Sequence, residues 1–335
     1  MTHGIDEVAR VAGVSTATVS RALRGLPNVS PITRKRVEAV ARDLGYVASP
    51  SAASLASGRT RTIGLLTPWV NRWFFANVIE GAERSLRAVG FDALLYTFDI
   101  AREVPRRPVD PSVLRHRVDG VLVVGLPLTD LEVEALEGLD RPVAFVGTGR
   151  DDHLTVRLDD HEAGVQATEH LVGLGHRRVG HVTGTPDEEH SWSPPSGRRQ
   201  GWSEVLRAAG IEPEAGWEVN GHFDIQGGRT STHALLDAHP EVTAVFAASD
   251  EMAMGAILAA RDRGLRVPED LSVVGIDGHD LGELVGLTTV SQDASGQGSQ
   301  AARLLLDLIA GRGEPSLVVH PTVLVERAST AAPRA

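Results

Sequence analysis

From Thr62 to Asp277 the chain repeats one unit, a short apolar run followed by a longer amphipathic stretch, most of them closed by glycine. TIGLLT (62–67), FDALLYTF (91–98), GVLVVG (120–125), VAFVGT (143–148), VGHVTG (179–184), AVFAAS (244–249) and LSVVGID (271–277) read as strands. FANVIEGAERSLRAVG (75–90), HEAGVQATEHLVGLG (161–175), GRRQGWSEVLRAAG (197–210) and EMAMGAILAARDRG (251–264) read as helices. Strands that alternate with helices pair in parallel, and such a sheet must be covered on both faces. The expected body is therefore α/β. About 270 residues of this pattern are more than one open sheet accommodates, so two lobes are expected. The first spans 62–161 and is completed by about 291–318. The second spans 162–290 and is completed by about 319–327, where the run LVVHPTVLVER (317–327) crosses again. The tail 328–335 is Ala, Ser, Thr and Pro and reads as disordered.

Residues 1–46 follow a different plan. Helix 1 is expected over Asp6–Ala12 with acidic residues at its positive end, Gly13 then releases the backbone, and Ser15 caps helix 2 over Thr16–Leu23. Ser30 and Pro31 open a third helix that ends at Gly45. Val8, Val19, Leu23, Val37, Val40 and Leu44 can share one small core, which commits the apolar side. Two helices across a four-residue turn with a third closing the core is the helix-turn-helix arrangement. Its free face carries base-edge chemistry. Arg21 can bind a guanine edge bidentately, and Thr16 or Ala17 can touch a thymine methyl. Ser15, Thr18, Ser20 and Asn28 suit phosphate oxygens. A small bundle with solvated hydroxyls is the structural alternative.

Residues 47–61 are rich in Ala and Ser and offer little apolar stripe beyond Leu55. A plain linker fits, and so does a short helix that forms only with a partner. An exposed Leu there could wedge between base steps in a minor groove.

Charge supports a division of labour. The net charge of −11 conceals nine Arg/Lys against four Asp/Glu in residues 1–61, leaving the remainder at −16. A basic head on an acidic body directs phosphate to the head, although solubility alone also accounts for an acidic surface. There is no cysteine, hence no disulfide scaffold and no thiolate zinc site. The N-terminus lacks a signal-peptide core and no window approaches 18 uninterrupted apolar residues, so a cytoplasmic, soluble protein is expected.

Ligands of open α/β sheets bind beyond the carboxyl ends of the strands. Those ends hold Trp69, Arg72, Trp73, Phe74 and Phe75, then Asp99, Arg198, Ser249, Asp250 and Asp277. Arginine and carboxylates suit vicinal hydroxyls and flat rings suit the apolar face of a sugar. For Phe74 and Phe75 a place in the core fits equally well. Catalysis is disfavoured. Asp250 and Asp277 could be drawn as acid and base, but nothing positions a nucleophile, metal or phosphate loop. His176, His181 and His279 are scattered rather than at ligand spacing. No cofactor or metal is expected. A non-regulatory solute-binding protein would share such a body, but the head argues against it.

DEVARVAGVSTATVSRAL, VSPITRKRVEAVARDLGY, RTRTIGLLTP, GHRRVGHVTG and DLSVVGIDG together resemble the LacI/GalR family of bacterial transcriptional regulators over essentially the whole chain. The resemblance implies two Rossmann-like, periplasmic-binding-protein-like lobes behind a helix-turn-helix head, assembled as a homodimer or tetramer. It also implies double-stranded DNA with a near-palindromic operator as one partner and a small-molecule effector, most often a carbohydrate, as the other. By it, Thr16, Ala17 and Arg21 are base-reading positions and Leu55 is the hinge-helix wedge. Arg198, Phe223, Ser249 and Asp277 fall on effector-contacting positions, with Trp73, Phe74 and Asp99 in the same cleft. The chain departs from the family at Ala48-Ser49 for Pro-Asn and Ala53 for Arg in the hinge. In the cleft it departs at Arg72 for Asn, Trp73 for Pro, Ser249 for Asn and Ala294 for an aromatic ring. These imply a reshaped pocket.

Overall fold

The computed structural model describes residues 4–23, 27–46, 59–98, 108–149, 152–184 and 194–334. The chain forms two compact units, residues 1–62 with 114–119 and residues 63–113 with 120–335. In the first, α1 (Ile5–Ala12), α2 (Thr16–Leu23) and α3 (Pro31–Asp43) form the head. Gly13 turns the chain at φ 65°, a conformation that costs other residues roughly 1–2 kcal/mol. Ser15 Oγ then accepts the Thr18 amide at 3.2 Å, and Ser30 Oγ accepts the Thr33 amide at 3.1 Å, satisfying donors that a helix start leaves free. Val8, Val19 and Val37 are fully buried, with Leu23, Val40 and Leu44 packed around them. Just before the body begins, the Asp119 carboxylate accepts both the amide and the hydroxyl of Thr60 and the amide of Arg61, at 2.7, 3.0 and 2.9 Å.

The second unit contains two six-stranded sheets. The first holds β1 (Thr62–Thr67), β2 (Asp92–Thr97), β3 (Gly120–Val124), β4 (Val143–Val146), β5 (Leu154–Leu158) and β11 (Leu317–His320), in the order β11-β5-β4-β3-β1-β2. The second holds β6 (Val179–Thr183), β7 (Glu218–Asn220), β8 (Ala244–Ala247), β9 (Ser272–Asp277), β10 (Thr288–Ser291) and β12 (Val323–Val325), in the order β12-β10-β9-β8-β6-β7. Every residue of β3, β4, β8 and β9 is buried, as strands covered on both faces must be. Pairing is parallel from β1 through β3, β4 and β5 to β11, while β12 runs antiparallel to β10.

Helices cover these faces: α4 (Trp73–Ala88), α5 (Asp130–Glu137) and α10 (Ala294–Ile309) in the first lobe, α6 (Asp160–Gly173), α7 (Pro194–Ala208), α8 (Ile225–Ala238) and α9 (Asp250–Asp262) in the second. Ala294, Ala301, Ala302 and Leu305 of α10 join the first core, beside Ile63, Leu86 and Val146. Ala163, Ala167 and Leu171 of α6 join the second, beside Trp202, Phe246 and Ile276. The chain therefore passes between lobes at Asp159, at 292–293 and at 321–322; the sequence pattern places these crossings near 161, 290 and 318. Among the described residues no helix is long and apolar enough to cross a membrane.

The tail corrects one expectation. Residues 328–334 are ordered against the second lobe rather than disordered. Ser329, 1% exposed, accepts the Thr288 amide at 2.8 Å and donates to the Val273 carbonyl at 2.5 Å, while its own carbonyl accepts the Val273 amide at 2.8 Å. His176 lies within 2.9 Å of the Ala331 carbonyl. Small side chains that look solvated in composition here let the backbone lie flat against β9 and β10. Ser329→Ala should lower stability by about 1–3 kcal/mol, because the Thr288 amide is left buried without a partner. Urea denaturation of the full chain measures this, and an unchanged midpoint would remove the tail from the structural account.

Candidate functional site

On the head, Thr16, Ala17 and Arg21 of α2 are exposed, as are Ser15 and Asn28 at the flanking turns. Among the described residues no carboxylate pairs with Arg21, so its planar fork is open to a base edge. Thr18 and Ser20 are half-buried. The hydroxyls of Ser15 and Thr18 share a hydrogen bond at 2.9 Å, which leaves one O–H of the pair for a phosphate. Asn28 holds φ 68°, a turn conformation that asparagine tolerates. Leu55 lies outside the described residues.

In the body, the strand ends collect the second group of side chains. Arg198, 5% exposed, donates from Nε to Asp160 Oδ1 at 2.9 Å and from Nη1 to the Ala248 carbonyl. Both partners follow from topology, since Asp160 opens α6 and Ala248 directly follows β8. Burial pushes the Asp160 carboxyl up, and the Arg198 guanidinium opposes that. Asp277 ends β9 with φ 140°, and its Oδ1 accepts Gln292 Nε2 at 2.7 Å. Gln292 in turn accepts Gln297 Nε2 at 2.8 Å. Behind it, Asp250 Oδ2 accepts the amides of Gly278 and His279 at 2.9 and 2.7 Å, clamping the turn that follows β9.

The remaining predicted groups divide by role. Ser249 Oγ accepts the Met252 amide at 3.2 Å and so caps α9; only its O–H is left for a ligand. Phe223 lies across Gly184, where an added Cβ would come within 1.8 Å of its ring, so any side chain there would displace the ring. Phe74 packs edge-on to Phe75 at 5.3 Å and against the first core, which favours its structural role. Trp73 stacks on His279 of the other lobe at 5.6 Å and 27°. Asp99 lies outside the described residues. Residue patterns left Gln292, Gln297, Asp160 and Glu251 unnoticed, since a lone amide or helix-start carboxylate carries no spacing signal.

Burial, before any charge, pushes the Asp277 carboxyl from 3.8 up to about 8, and the nearby Asp250 adds to this while Arg198 and Gln292 oppose it. A folded value above the unfolded one gives a definite sign. The stability that the neutral carboxyl supplies is complete below pH 3.8 and is lost as pH rises toward about 8. The midpoint of thermal unfolding should therefore fall between about pH 5 and 8 for the native chain relative to Asp277→Asn. Parallel pH profiles for the two proteins would refute the buried neutral carboxyl.

His181 is a core group. It lies between Trp202 and Phe246 at 5.4 and 4.6 Å, and burial pushes it down to about 3. Glu214, His239 and Glu241 bring three donor atoms within 4.8 Å on the second lobe, where the His239–Glu241 hydrogen bond of 3.2 Å already accounts for the pair. A groove of about 780 Å³ beside α7 and β7 shares no lining residue with Trp73, Phe74, Arg198, Phe223, Ser249 or Asp277.

Known proteins share both parts. Residues 4–49 match the bacterial regulatory proteins of the lacI family, and residues 168–330 match the periplasmic binding protein-like domain. The HTH-type transcriptional regulator CelR of Thermobifida fusca is 34% identical, over 97% of each chain. The HTH-type transcriptional repressor CytR of Escherichia coli K12 is 33% identical, over 98% of this chain and 97% of its own. Among solved structures, a CelR–cellobiose complex aligns with TM-score 0.72 at 33% identity, covering 98% of this chain and 99% of that one. A lac repressor dimer bound to operator and the anti-inducer ONPF aligns with TM-score 0.85 at 27% identity, covering 99% and 100%. An exposed α2 face, two largely parallel sheets and 34% identity over nearly the full length of such a regulator lead to one conclusion: the chain belongs to the LacI family of bacterial regulatory proteins.

Proposed function

We propose that this chain is an operator-binding transcriptional repressor whose affinity for near-palindromic double-stranded DNA is set by a carbohydrate held between its two lobes. The observation that carries the DNA half is Arg21, exposed on a capped helix with no described acid paired to it. The effector half rests on Arg198, a buried cation in the first turns of α7, and Asp277, a buried carboxyl at the end of β9, with rings near the strand ends. CelR, crystallised with cellobiose, supports a saccharide as the first ligand to test.

A near-palindrome needs two heads. Exposed Leu281, Leu284 and Val285, at 47, 81 and 44% exposure, support pairing of two copies through the second lobe. Trp73, Phe223, Ser249 and Asp277 are assigned to effector contact, with Phe74 as a packing residue behind them. Leu55 is assigned to the minor groove, and Ser15, Thr18, Ser20 and Asn28 to phosphates. Effector binding acts by its differential affinity for two lobe arrangements, one of which lets the hinge segments order on DNA. Such a regulator meets its operator in the cytoplasm and performs no catalysis.

Fluorescence anisotropy with an operator selected from random duplexes tests the DNA reading. Arg21→Ala should lose about 1–3 kcal/mol of discrimination against a scrambled duplex, roughly 10- to 100-fold. Equal discrimination by native protein and variant would refute it. For the effector, cellobiose should raise the thermal midpoint of the native chain but not of Asp277→Ala. A truncated chain of residues 62–335 should keep that response and lose operator binding; operator binding by the truncated chain would overturn the assignment to the head.

A further inference from the structure

Arg72 stands immediately before α4, in the first lobe, and its hydrogen-bonding partners are in the second. One guanidinium nitrogen donates to the Phe223 carbonyl at 2.5 Å and reaches Glu251 Oε2 at 3.4 Å. Another lies 3.6 Å from Asp224 Oδ2. The acceptors are held rigidly. Asp224 caps α8 through the Gly227 amide, at 2.5 Å. Glu251 sits in the first turn of α9, where the helix dipole favours a carboxylate. The Phe223 carbonyl is presented by two successive left-handed residues, His222 and Phe223, both at φ 55°.

The arginine is held just as firmly from its own lobe. Its guanidinium lies 4.7 Å over the Trp69 ring, and Trp69 packs edge-on to Phe75 at 5.3 Å. Next along the chain, the Trp73 amide donates to Glu251 Oε1 at 3.2 Å while its ring stacks on His279. The three charged side chains are only 15–23% exposed, so water screens them far less than a surface pair.

We propose that Arg72 is a latch across the effector cleft, drawing the two lobes together in the absence of ligand and thereby setting effector affinity. The proposal deepens the reading of this cleft as the effector site. An effector that needs the closed arrangement finds part of the closing already done, and one that enters from the Trp69–Trp73 side must first displace the guanidinium. Arg72 is thus a positioning residue that selects for ligands small enough to fit behind a closed mouth.

Hydrogen exchange read by mass spectrometry on the full ligand-free chain tests the latch. Arg72→Met should raise exchange about tenfold in peptides covering 69–76, 220–226 and 249–253, with those covering β3 and β8 unchanged. Glu251→Gln, placed in the opposite lobe, should loosen the 69–76 peptide as well, and the double variant should add little. The proposal is overturned if each substitution loosens only its own lobe, or if neither loosens any of the three peptides. A failed search for an effector would leave this outcome readable, because the measurement contains no ligand. A failed latch would leave the operator and cellobiose tests untouched.

Discussion

Three crossings carry the chain between two sheets, and the behaviour of the body depends on where those crossings fall. Two of them coincide with helix caps. Asp159 accepts the Glu162 amide at 3.0 Å and Asp293 accepts the Gly296 amide at 2.7 Å, so each crossing ends at a fixed helix start. A hinge of this kind concentrates rotation in a few φ/ψ angles while the packed lobes stay rigid. The middle crossing is also wired to the cleft, since Gln292 bridges Asp277 of the second lobe and Gln297 of the first. A ligand that engages Asp277 therefore touches a hinge residue through one hydrogen bond.

The cleft manages an excess of acid by three different means. Asp160 is paired with Arg198, Asp250 is given backbone amides, and the Asp277 carboxyl is pushed up by burial. Arg198 spends two of its five N–H donors on a carboxylate and a carbonyl, so its charge is paired while donors remain. A site so arranged offers directional partners for hydroxyl groups rather than a free cation for an anion. That agrees with a saccharide and places the cost of closing on geometry instead of charge.

Legibility in sequence followed the strength of local signals. The head was almost fully readable because caps, Pro31 and Gly13 fix helix ends independently of tertiary context. Long apolar strands were equally plain. The pattern missed β5, whose LTVRL carries an arginine, the three-residue β7, and β10, whose TTVS lacks a bulky apolar run. The apolar run 317–327 is not continuous either: Pro321, which has no amide to donate, parts β11 from β12. At the site, Asp277 is legible as a polar group on a strand end and Arg198 as one near a helix start. Ser249 stands out in sequence only as a polar strand end, and the fold alone shows the α9 amide that its hydroxyl oxygen accepts. The cross-lobe partners of Arg72 lie 151 to 179 residues away, a separation that no local pattern encodes.

The ordered tail also bears on synthesis. The second sheet is incomplete until β12 and Ser329 are available, and the first until β11 is. Domains form as units, N-terminal first, as a chain leaves the ribosome. The head can close its core from residues 5–46 alone, so a reading helix exists before either lobe is finished. For that interval the growing chain can carry DNA affinity without the means to regulate it. Residues 317–331 decide when that interval ends.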